Sequence, residues 1–154
     1  MASRELDDLL PGTQKKIEAW LQACEGIILQ QVFVLCTYRS QEEQNALWAQ
    51  ERYPLVEVNR IRELANMPPI TETENHHAVT WTRHSKHTER RACDWALKMP
   101  NIWDLKADID GDHIPDYTEV GQLAEKFGLQ WGIINSKKEH VDLGHVQDNE
   151  IYAA

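Results

Sequence analysis

Two short segments, far apart in the sequence, constrain this chain most strongly because their side chains have to meet in the folded protein. The first runs from Ser85 to Asp94 and contains His87, and the second runs from Asp142 to His145. A catalytic zinc ion takes three protein ligands, and imidazole nitrogens with one carboxylate are a usual set. His87, Asp94 and His145 match that set. The fold must therefore bring both segments together, and a zinc hydrolase is the first hypothesis.

The second segment also contains a candidate for the catalytic base. Asp142 lies three residues before His145, so a turn or strand end that aims the imidazole at a metal also holds this carboxylate nearby. A carboxylate in that place could take a proton from an attacking water molecule and pass it on, which is general acid and base catalysis. We therefore predict that Asp142 is catalytic.

The whole pattern resembles the zinc D-Ala-D-Ala peptidase family, whose members cut stem peptides of bacterial cell walls and include phage endolysins acting as L-alanyl-D-glutamate endopeptidases. The family signature is S-x-H-x-x-G-x-A-x-D, followed downstream by D-x-x-H or E-x-x-H. Six residues fall in register with it: Ser85, His87, Ala92, Asp94, Asp142 and His145. Arg90 stands where the family usually has glycine. If that position requires a positive φ, arginine is strained there and the local turn could differ.

The resemblance extends upstream to Tyr38-Arg39-Ser40 and Gln44, which are similar to the family's Y-R-S-x-x-x-Q element. It implies that Arg39 faces the substrate and that Gln44 lies on the following helix. Stem peptides carry several carboxylates, and a guanidinium is suited to binding a carboxylate through two hydrogen bonds. We expect Arg39, Gln44 and Ser85 to take part in substrate binding, although Ser85 could instead only stabilise its turn. The oxyanion would be stabilised by the zinc ion, with Arg39 or His140 as a further donor.

A twelve-residue acidic segment, from position 108 to position 119, forms a second constellation. Its carboxylates occupy positions 1, 3, 5, 9 and 12, the spacing of calcium ligands in an EF-hand loop; they belong to Asp108, Asp110, Asp112, Asp116 and Glu119. His113 occupies position 6, where an EF-hand has glycine, and no convincing helix precedes the segment. We predict calcium binding, because unpaired carboxylates this close repel one another unless a cation lies between them. The alternative is a solvated turn in which Asp116 caps the next helix.

The spacing of apolar residues predicts three main helices and four strands. The helices are expected over residues 13–25, after an N-cap at Ser40, and over residues 118–127. The strands are expected over residues 26–37, 92–97, 129–134 and 141–146. The polar stretch 53–80, with a weak helix over 58–65, suits the surface and could line a substrate cleft. This irregular order favours an α+β fold, and the resemblance implies a small antiparallel sheet flanked by helices, with zinc on its concave side.

Composition limits the classes of protein that remain. A chain of 154 residues with 42% apolar and 27% charged residues is typical of one globular domain. We therefore interpret residues 1–154 as a single catalytic domain without a wall-binding module, and we expect a monomer. Cys24, Cys36 and Cys93 lack a C-x-x-C spacing, so we interpret them as reduced, small buried residues. The net charge of −9 argues against nucleic-acid binding.

Neither membrane insertion nor a secretory signal is predicted, because no long apolar run and no basic, apolar leader is present. The resemblance implies that peptidoglycan is the partner and that the protein stays in the host cytoplasm until a separate holin-like protein gives it access to the wall. We favour an L-alanyl-D-glutamate endopeptidase, and the alternatives are a D-Ala-D-Ala carboxypeptidase or dipeptidase. A non-enzymatic alternative is a metal-binding structural module of a phage particle. Asp142 argues against this last alternative, because a structural metal site needs no base.

Overall fold

The computed structural model describes residues 2–152, and within them it has four strands in one sheet and five α-helices. The helices are α1 (Pro11–Cys24), α2 (Gln41–Ala49), α3 (Leu55–Leu64), α4 (Glu72–Asn75) and α5 (Asp116–Lys126). The strands are β1 (Val32–Cys36), β2 (Ala92–Leu97), β3 (Gln130–Ile134) and β4 (His140–Gln147). They are arranged in the order β1-β2-β4-β3, and every neighbouring pair is antiparallel. The predicted α+β class with a small antiparallel sheet is therefore confirmed.

One face of the sheet carries the hydrophobic core. Trp20 of α1 is completely buried and meets Trp95 of β2 edge to face, with ring centroids 5.5 Å apart. Tyr117 of α5 stacks on the same tryptophan at 5.0 Å. Large aromatic rings packed in this way contribute much of the burial energy of a small core. Because side chains alternate along a strand, Asp94 points to the face opposite that of Trp95.

Two helix ends follow capping signals that the sequence predicted. Ser40 is the N-cap of α2, and its Oγ accepts the backbone N–H of Glu43 at 3.1 Å. Gly128, two residues beyond the end of α5, has φ of 79°, a conformation in which glycine is not strained. Among the helices of residues 2–152, none has both the length and the apolar character needed to cross a membrane.

Two predicted elements differ from the structure. The strand expected over residues 26–37 begins only at Val32, because Gly26 lies in the turn that ends α1. The stretch 53–80 forms α3 and α4. Helix α3 packs against α2, and Val58 of α3 is completely buried. The expectation of a surface segment was therefore wrong for this part of α3, since one apolar face of a polar helix is enough to dock it.

Candidate metal centre

Three side chains of the candidate site form a row across three neighbouring strands. Cys36 of β1 pairs with Asp94 of β2, and Asp94 pairs with His145 of β4. Directly opposed residues of antiparallel strands project from the same face of a sheet. Two of the predicted zinc ligands are therefore neighbours through strand register, on the face opposite the core.

His87 reaches this row from the turn that precedes β2. Its backbone N–H donates to Oγ of Ser85 at 3.2 Å, so this serine stabilises the turn. The Nε2 atom of His87 lies 3.2 Å from Oδ1 of Asp94, and Nδ1 of His145 lies 3.0 Å from the same oxygen. Both imidazoles are buried. We call His87, Asp94 and His145 the histidine cluster.

Hydrogen bonds on the outer side of the two imidazoles direct their inner nitrogens toward Asp94. Nδ1 of His87 lies 3.0 Å from the carbonyl oxygen of Thr37, which can only accept, so this nitrogen carries the proton. Nε2 of His145 lies 3.0 Å from Oε1 of Gln147, the acceptor atom of that amide. The neutral imidazoles therefore present two lone pairs to one carboxylate oxygen. Three such acceptors repel one another unless a proton or a cation lies between them, and this donor set fits zinc.

The same geometry binds protons tightly. Burial lowers the pKa of His87, but hydrogen bonds to Asp94 and Cys36 outweigh burial and raise this pKa to about 10. Burial raises the pKa of Asp94, but hydrogen bonds with His145 and His87 hold this pKa below its ordinary value. The raised pKa of His87 and the lowered pKa of Asp94 both show that a positive charge beside the Asp94 carboxylate is favoured, which also suits a cation.

Cys36, predicted only as a small buried residue, is also a neighbour of the cluster. Its Sγ lies 3.6 Å from Nδ1 of His87, and it accepts from Nη2 of Arg39 at 3.7 Å. Potential ligand atoms of Cys36, His87 and Asp94 all lie within 4.8 Å of one another. The thiol contacts the outer nitrogen of His87, so its contact supports the imidazole from behind. Its place just before Tyr38-Arg39-Ser40 was the signal that could have revealed it.

Asp142 and His145 lie in a bulge of β4, where residues 142–145 oppose Gly132 alone on β3. Asp142 has φ of 56°, and Nε1 of Trp131 donates to a carbonyl oxygen of the bulge at 2.9 Å. Gly132 has φ of 65°, and a Cβ on it would lie 2.7 Å from a carbonyl oxygen of β4. Glycine is therefore required opposite the bulge. Bulges re-aim side chains, and this one aims two predicted functional residues.

The carboxyl of Asp142 is close enough to the cluster to be affected by its charges. Although the side chain as a whole is exposed, the protein atoms around the carboxyl raise its pKa above the ordinary value, and the charge of Asp94 adds to this shift. His145, His87 and Arg39 act in the opposite direction. Asp142 is thus accessible to solvent, and its carboxyl is also within range of the charges of the cluster.

Arg39 is held from behind by Gln44. Nη1 of Arg39 donates to Oε1 of Gln44 at 2.8 Å, while the amide nitrogen of Gln44 donates to the carbonyl oxygen of Thr82 at 2.7 Å. Gln44 is completely buried and has no surface with which to touch a substrate. Its expected role in substrate binding is therefore replaced by a role in holding the guanidinium of Arg39, which is half-buried.

His140 is used within the scaffold of the bulge. Its ring packs edge to face on Trp131 at 4.4 Å, and its Nε2 contacts the carbonyl oxygen of that tryptophan. Because a carbonyl oxygen only accepts, this nitrogen is the donor. One ring nitrogen of His140 is therefore occupied within the bulge, while its role at the oxyanion stays a prediction, as does that of Arg39.

Arg90 has φ of 62°, the left-handed conformation that glycine adopts without strain. This position therefore has the positive φ at which arginine was expected to be strained. The side chain offsets the strain through two contacts. Its guanidinium lies 3.8 Å over the ring of Tyr38, and Nη1 donates to the carbonyl oxygen of Asp8 at 2.9 Å. The turn between His87 and β2 thus keeps its positive φ without glycine.

The acidic loop, residues 108–119, connects the turns after β2 to α5. Its residue Asp108 accepts three backbone N–H groups, from Gly111 at 2.8 Å, Asp112 at 3.2 Å and His113 at 2.8 Å. His113 has φ of 73°, the conformation for which an EF-hand uses glycine at this position. Between β2 and α5, a stretch that the structure describes throughout, no helix precedes the loop, as predicted.

No protein-family model matches this chain. No curated protein is significantly similar to it in sequence. Its fold is similar to that of the LdcB LD-carboxypeptidase, a structure described as revealing the molecular basis of peptidoglycan recognition. The two structures align with a TM-score of 0.52 and 15% sequence identity, and the alignment covers 91% of this chain. The chain spans 58% of the length of that structure. At this identity the similarity shows a shared fold.

Proposed function

We propose that this protein is a zinc-dependent peptidase that hydrolyses stem peptides of bacterial peptidoglycan, with the bond between L-alanine and D-glutamate as its preferred target. The observation that carries this proposal is the approach of Nε2 of His87 and of Nδ1 of His145 to the same carboxylate oxygen of Asp94. The fold shared with a peptidoglycan LD-carboxypeptidase supports the class of substrate.

The histidine cluster would hold the zinc ion through these three atoms. When bound, zinc supplies Lewis-acid activation of the peptide carbonyl group and of the attacking water. The protein contributes the orientation of the ligands. The carbonyl group of Thr37 and the amide of Gln147 keep each imidazole in the tautomer whose free nitrogen faces Asp94.

Asp142 acts as the general base in this proposal. As water attacks the carbonyl carbon, a carboxylate oxygen of Asp142 takes the proton of the water. The same group then gives that proton to the nitrogen of the leaving residue as the peptide bond breaks, so one carboxylate and one amine are formed. The support for this role is the bulge, which holds Asp142 where the charges of the cluster and of Arg39 affect its carboxyl.

Arg39 binds a substrate carboxylate or the developing oxyanion. Its Nη1 is held by Gln44 at 2.8 Å, whereas its Nη2 makes only the 3.7 Å contact with the thiol of Cys36 among the residues that the structure describes. The second nitrogen is therefore available for a stronger, charge-assisted hydrogen bond. Gln44 acts as a positioning residue, and Ser85 acts through the turn that presents His87.

A second candidate is a carboxypeptidase, which the fold shared with the LdcB LD-carboxypeptidase favours. The chemistry of the histidine cluster and of Asp142 would be the same. The difference lies in whether the site receives an internal peptide bond or the end of a stem peptide, which the shape of the surrounding loops decides.

The experiment that tests the proposal is digestion of purified peptidoglycan by the zinc-reconstituted protein, with mass spectrometry of the released fragments. New L-alanine carboxyl and D-glutamate amino termini are expected. Release of a terminal D-alanine would establish the carboxypeptidase instead. If a protein that holds stoichiometric zinc cleaves nothing, the peptidase proposal fails and the non-catalytic metal-binding module is favoured.

A further inference from the structure

Asp116 is a completely buried carboxylate at the first position of α5. Its Oδ2 accepts the backbone N–H of Ile109 at 3.0 Å and the side-chain amide of Gln30. Its Oδ1 is also buried, but it has no hydrogen-bond partner within residues 2–152. A buried carboxylate oxygen without a donor or cation is costly in free energy. This oxygen therefore indicates a ligand.

The unpartnered oxygens concentrate at this one place. Within residues 2–152, four buried side-chain nitrogen or oxygen atoms lack a hydrogen-bond partner. Three of them are oxygens of Asp116, its neighbour Gln30, and Glu119 one turn further along α5. Native proteins leave few buried polar atoms unsatisfied, and a group of them often marks a missing ion or water.

The carboxylates of the acidic loop form two groups that share Asp110. Potential ligand atoms of Asp108, Asp110 and Asp116 lie within 4.8 Å of one another, and so do those of Asp110, Asp112 and Glu119. Since a calcium–oxygen distance is about 2.3–2.6 Å, two oxygens on one Ca²⁺ lie at most about 5 Å apart. Asp110 belongs to both groups, so the two groups meet at this residue.

From this geometry we infer that the acidic loop binds one Ca²⁺ ion through its five carboxylates, with the buried Asp116 as the anchor. The inference is independent of the peptidase proposal. Oxygen ligands in this number and on a loop suit calcium, whereas magnesium demands a small octahedral site and keeps several waters. Zinc prefers nitrogen and sulfur ligands, such as those of the histidine cluster.

The anchor connects the loop to the core. Tyr117, next to Asp116, stacks on Trp95 of β2, and its hydroxyl accepts the N–H of Leu97 at 3.2 Å. The same hydroxyl contacts the carbonyl oxygen of Ile102 in the segment that leads into the loop. Calcium bound at Asp116 would therefore hold α5 and this segment together against β2. Its main expected effect is on the stability of the whole protein.

The test is calorimetric titration of the full-length, zinc-reconstituted protein with CaCl₂, and with MgCl₂ in parallel. One Ca²⁺ ion should bind per chain, more tightly than Mg²⁺, and saturation should raise the melting temperature by about 5 °C or more. The variant Asp110→Asn removes one charge from the exposed side of the site and should weaken calcium binding at least about tenfold. Glu125→Gln, which removes the same charge from an exposed position of α5, should leave the affinity unchanged.

Absence of both binding heat and a melting shift at millimolar calcium would overturn the inference. Equal calcium affinity of Asp110→Asn and Glu125→Gln would also overturn it, because a charge effect of the whole surface would then explain the binding. Asp110 is chosen over Asp116 because the latter is buried and supports the start of α5. None of these measurements depends on peptide hydrolysis, so a failure here is separate from a failure of the proposed function.

Discussion

The histidine cluster and the acidic loop are both candidate metal sites, and the chain builds them in opposite ways. The cluster joins residues that are far apart in sequence, through the register of Asp94 and His145 and through the turn of His87. The loop has its five carboxylates within one continuous segment of the chain, residues 108–119. Outer hydrogen bonds from the surrounding protein orient the cluster. In the loop, backbone N–H groups of the loop itself donate to Asp108 and Asp116, and only Gln30 donates to Asp116 from outside the loop among the described residues. The cluster therefore depends on the tertiary fold, whereas the acidic loop would depend more on the proposed Ca²⁺ ion.

The two sites share one departure from their reference patterns. Arg90 and His113 each occupy a position where the pattern has glycine, and each has a positive φ, 62° and 73°. The side chain of Arg90 is engaged by Tyr38 and Asp8, whereas the side chain of His113 is exposed. The positive φ of Arg90 is thus offset by contacts of its side chain. That of His113 is offset by a hydrogen bond from its backbone N–H to the carboxylate of Asp108.

The largest effect is expected from His145→Ala. Removal of one of the three ligands should release zinc and lower peptide hydrolysis by roughly 10³-fold or more. Asp110→Asn in the acidic loop should retain full zinc content. Zinc is measured by mass spectrometry of the metal after gel filtration, with circular dichroism to check folding. If Asp110→Asn loses zinc as His145→Ala does, the two sites are not independent.

The next largest effect is expected from Asp142→Asn. An amide cannot accept the proton of the attacking water, so turnover should fall by roughly 10²–10⁴-fold. Zinc content should be unchanged, because the ligands are intact. The measurement is the initial rate of stem-peptide cleavage at matched zinc content. A rate near that of the unmodified protein would remove Asp142 from the mechanism.

A smaller effect is expected from Gln147→Leu, which removes the acceptor for Nε2 of His145. The imidazole then loses its fixed tautomer, and zinc affinity should fall by about 10–100-fold. Competition with a chromophoric chelator measures the affinity. Gln147→Glu keeps a hydrogen-bond acceptor at the same place and should retain most of the zinc affinity. If both variants bind zinc equally weakly, the role of Gln147 is in packing and not in orientation.

The smallest effects compare the two left-handed residues. His113→Gly should raise the free energy of unfolding by about 0.5–1 kcal/mol, because glycine adopts the positive φ without strain. Arg90→Gly is stabilised by a similar amount through relief of strain, but it loses the contacts with Tyr38 and Asp8. The net change in its free energy of unfolding should therefore stay within about 1 kcal/mol. Arg90→Ala keeps the strain and loses the contacts, and it should be the least stable of the three.

Urea unfolding at fixed zinc and calcium concentrations measures these differences. A destabilised His113→Gly protein would show that the histidine side chain contributes to the loop, and the proposed contrast with Arg90 would not hold.

Much of the fold was predictable, because its signals are local. The strand Ala92–Leu97 has the predicted bounds, and Ser40 caps α2 as expected. The start of β1 was not predictable, because apolar residues before Val32 favour a strand although they lie in a turn. The burial of Gln44 also required the structure, since a glutamine next to a substrate and a glutamine behind an arginine have the same pattern in sequence. The same holds for Thr37 and Gln147, whose roles depend on where their oxygens point.

The sequence by itself determined which side chains can do chemistry here, and in the acidic loop it also determined their spacing, because twelve consecutive residues can surround an ion without the rest of the chain. Only the tertiary structure decided that Asp94 faces both His87 and His145, and that residues 142–145 bulge opposite Gly132. The physical reason is that strand register and bulges are set by pairing between distant segments, and a shift of one residue turns every side chain to the other face of the sheet.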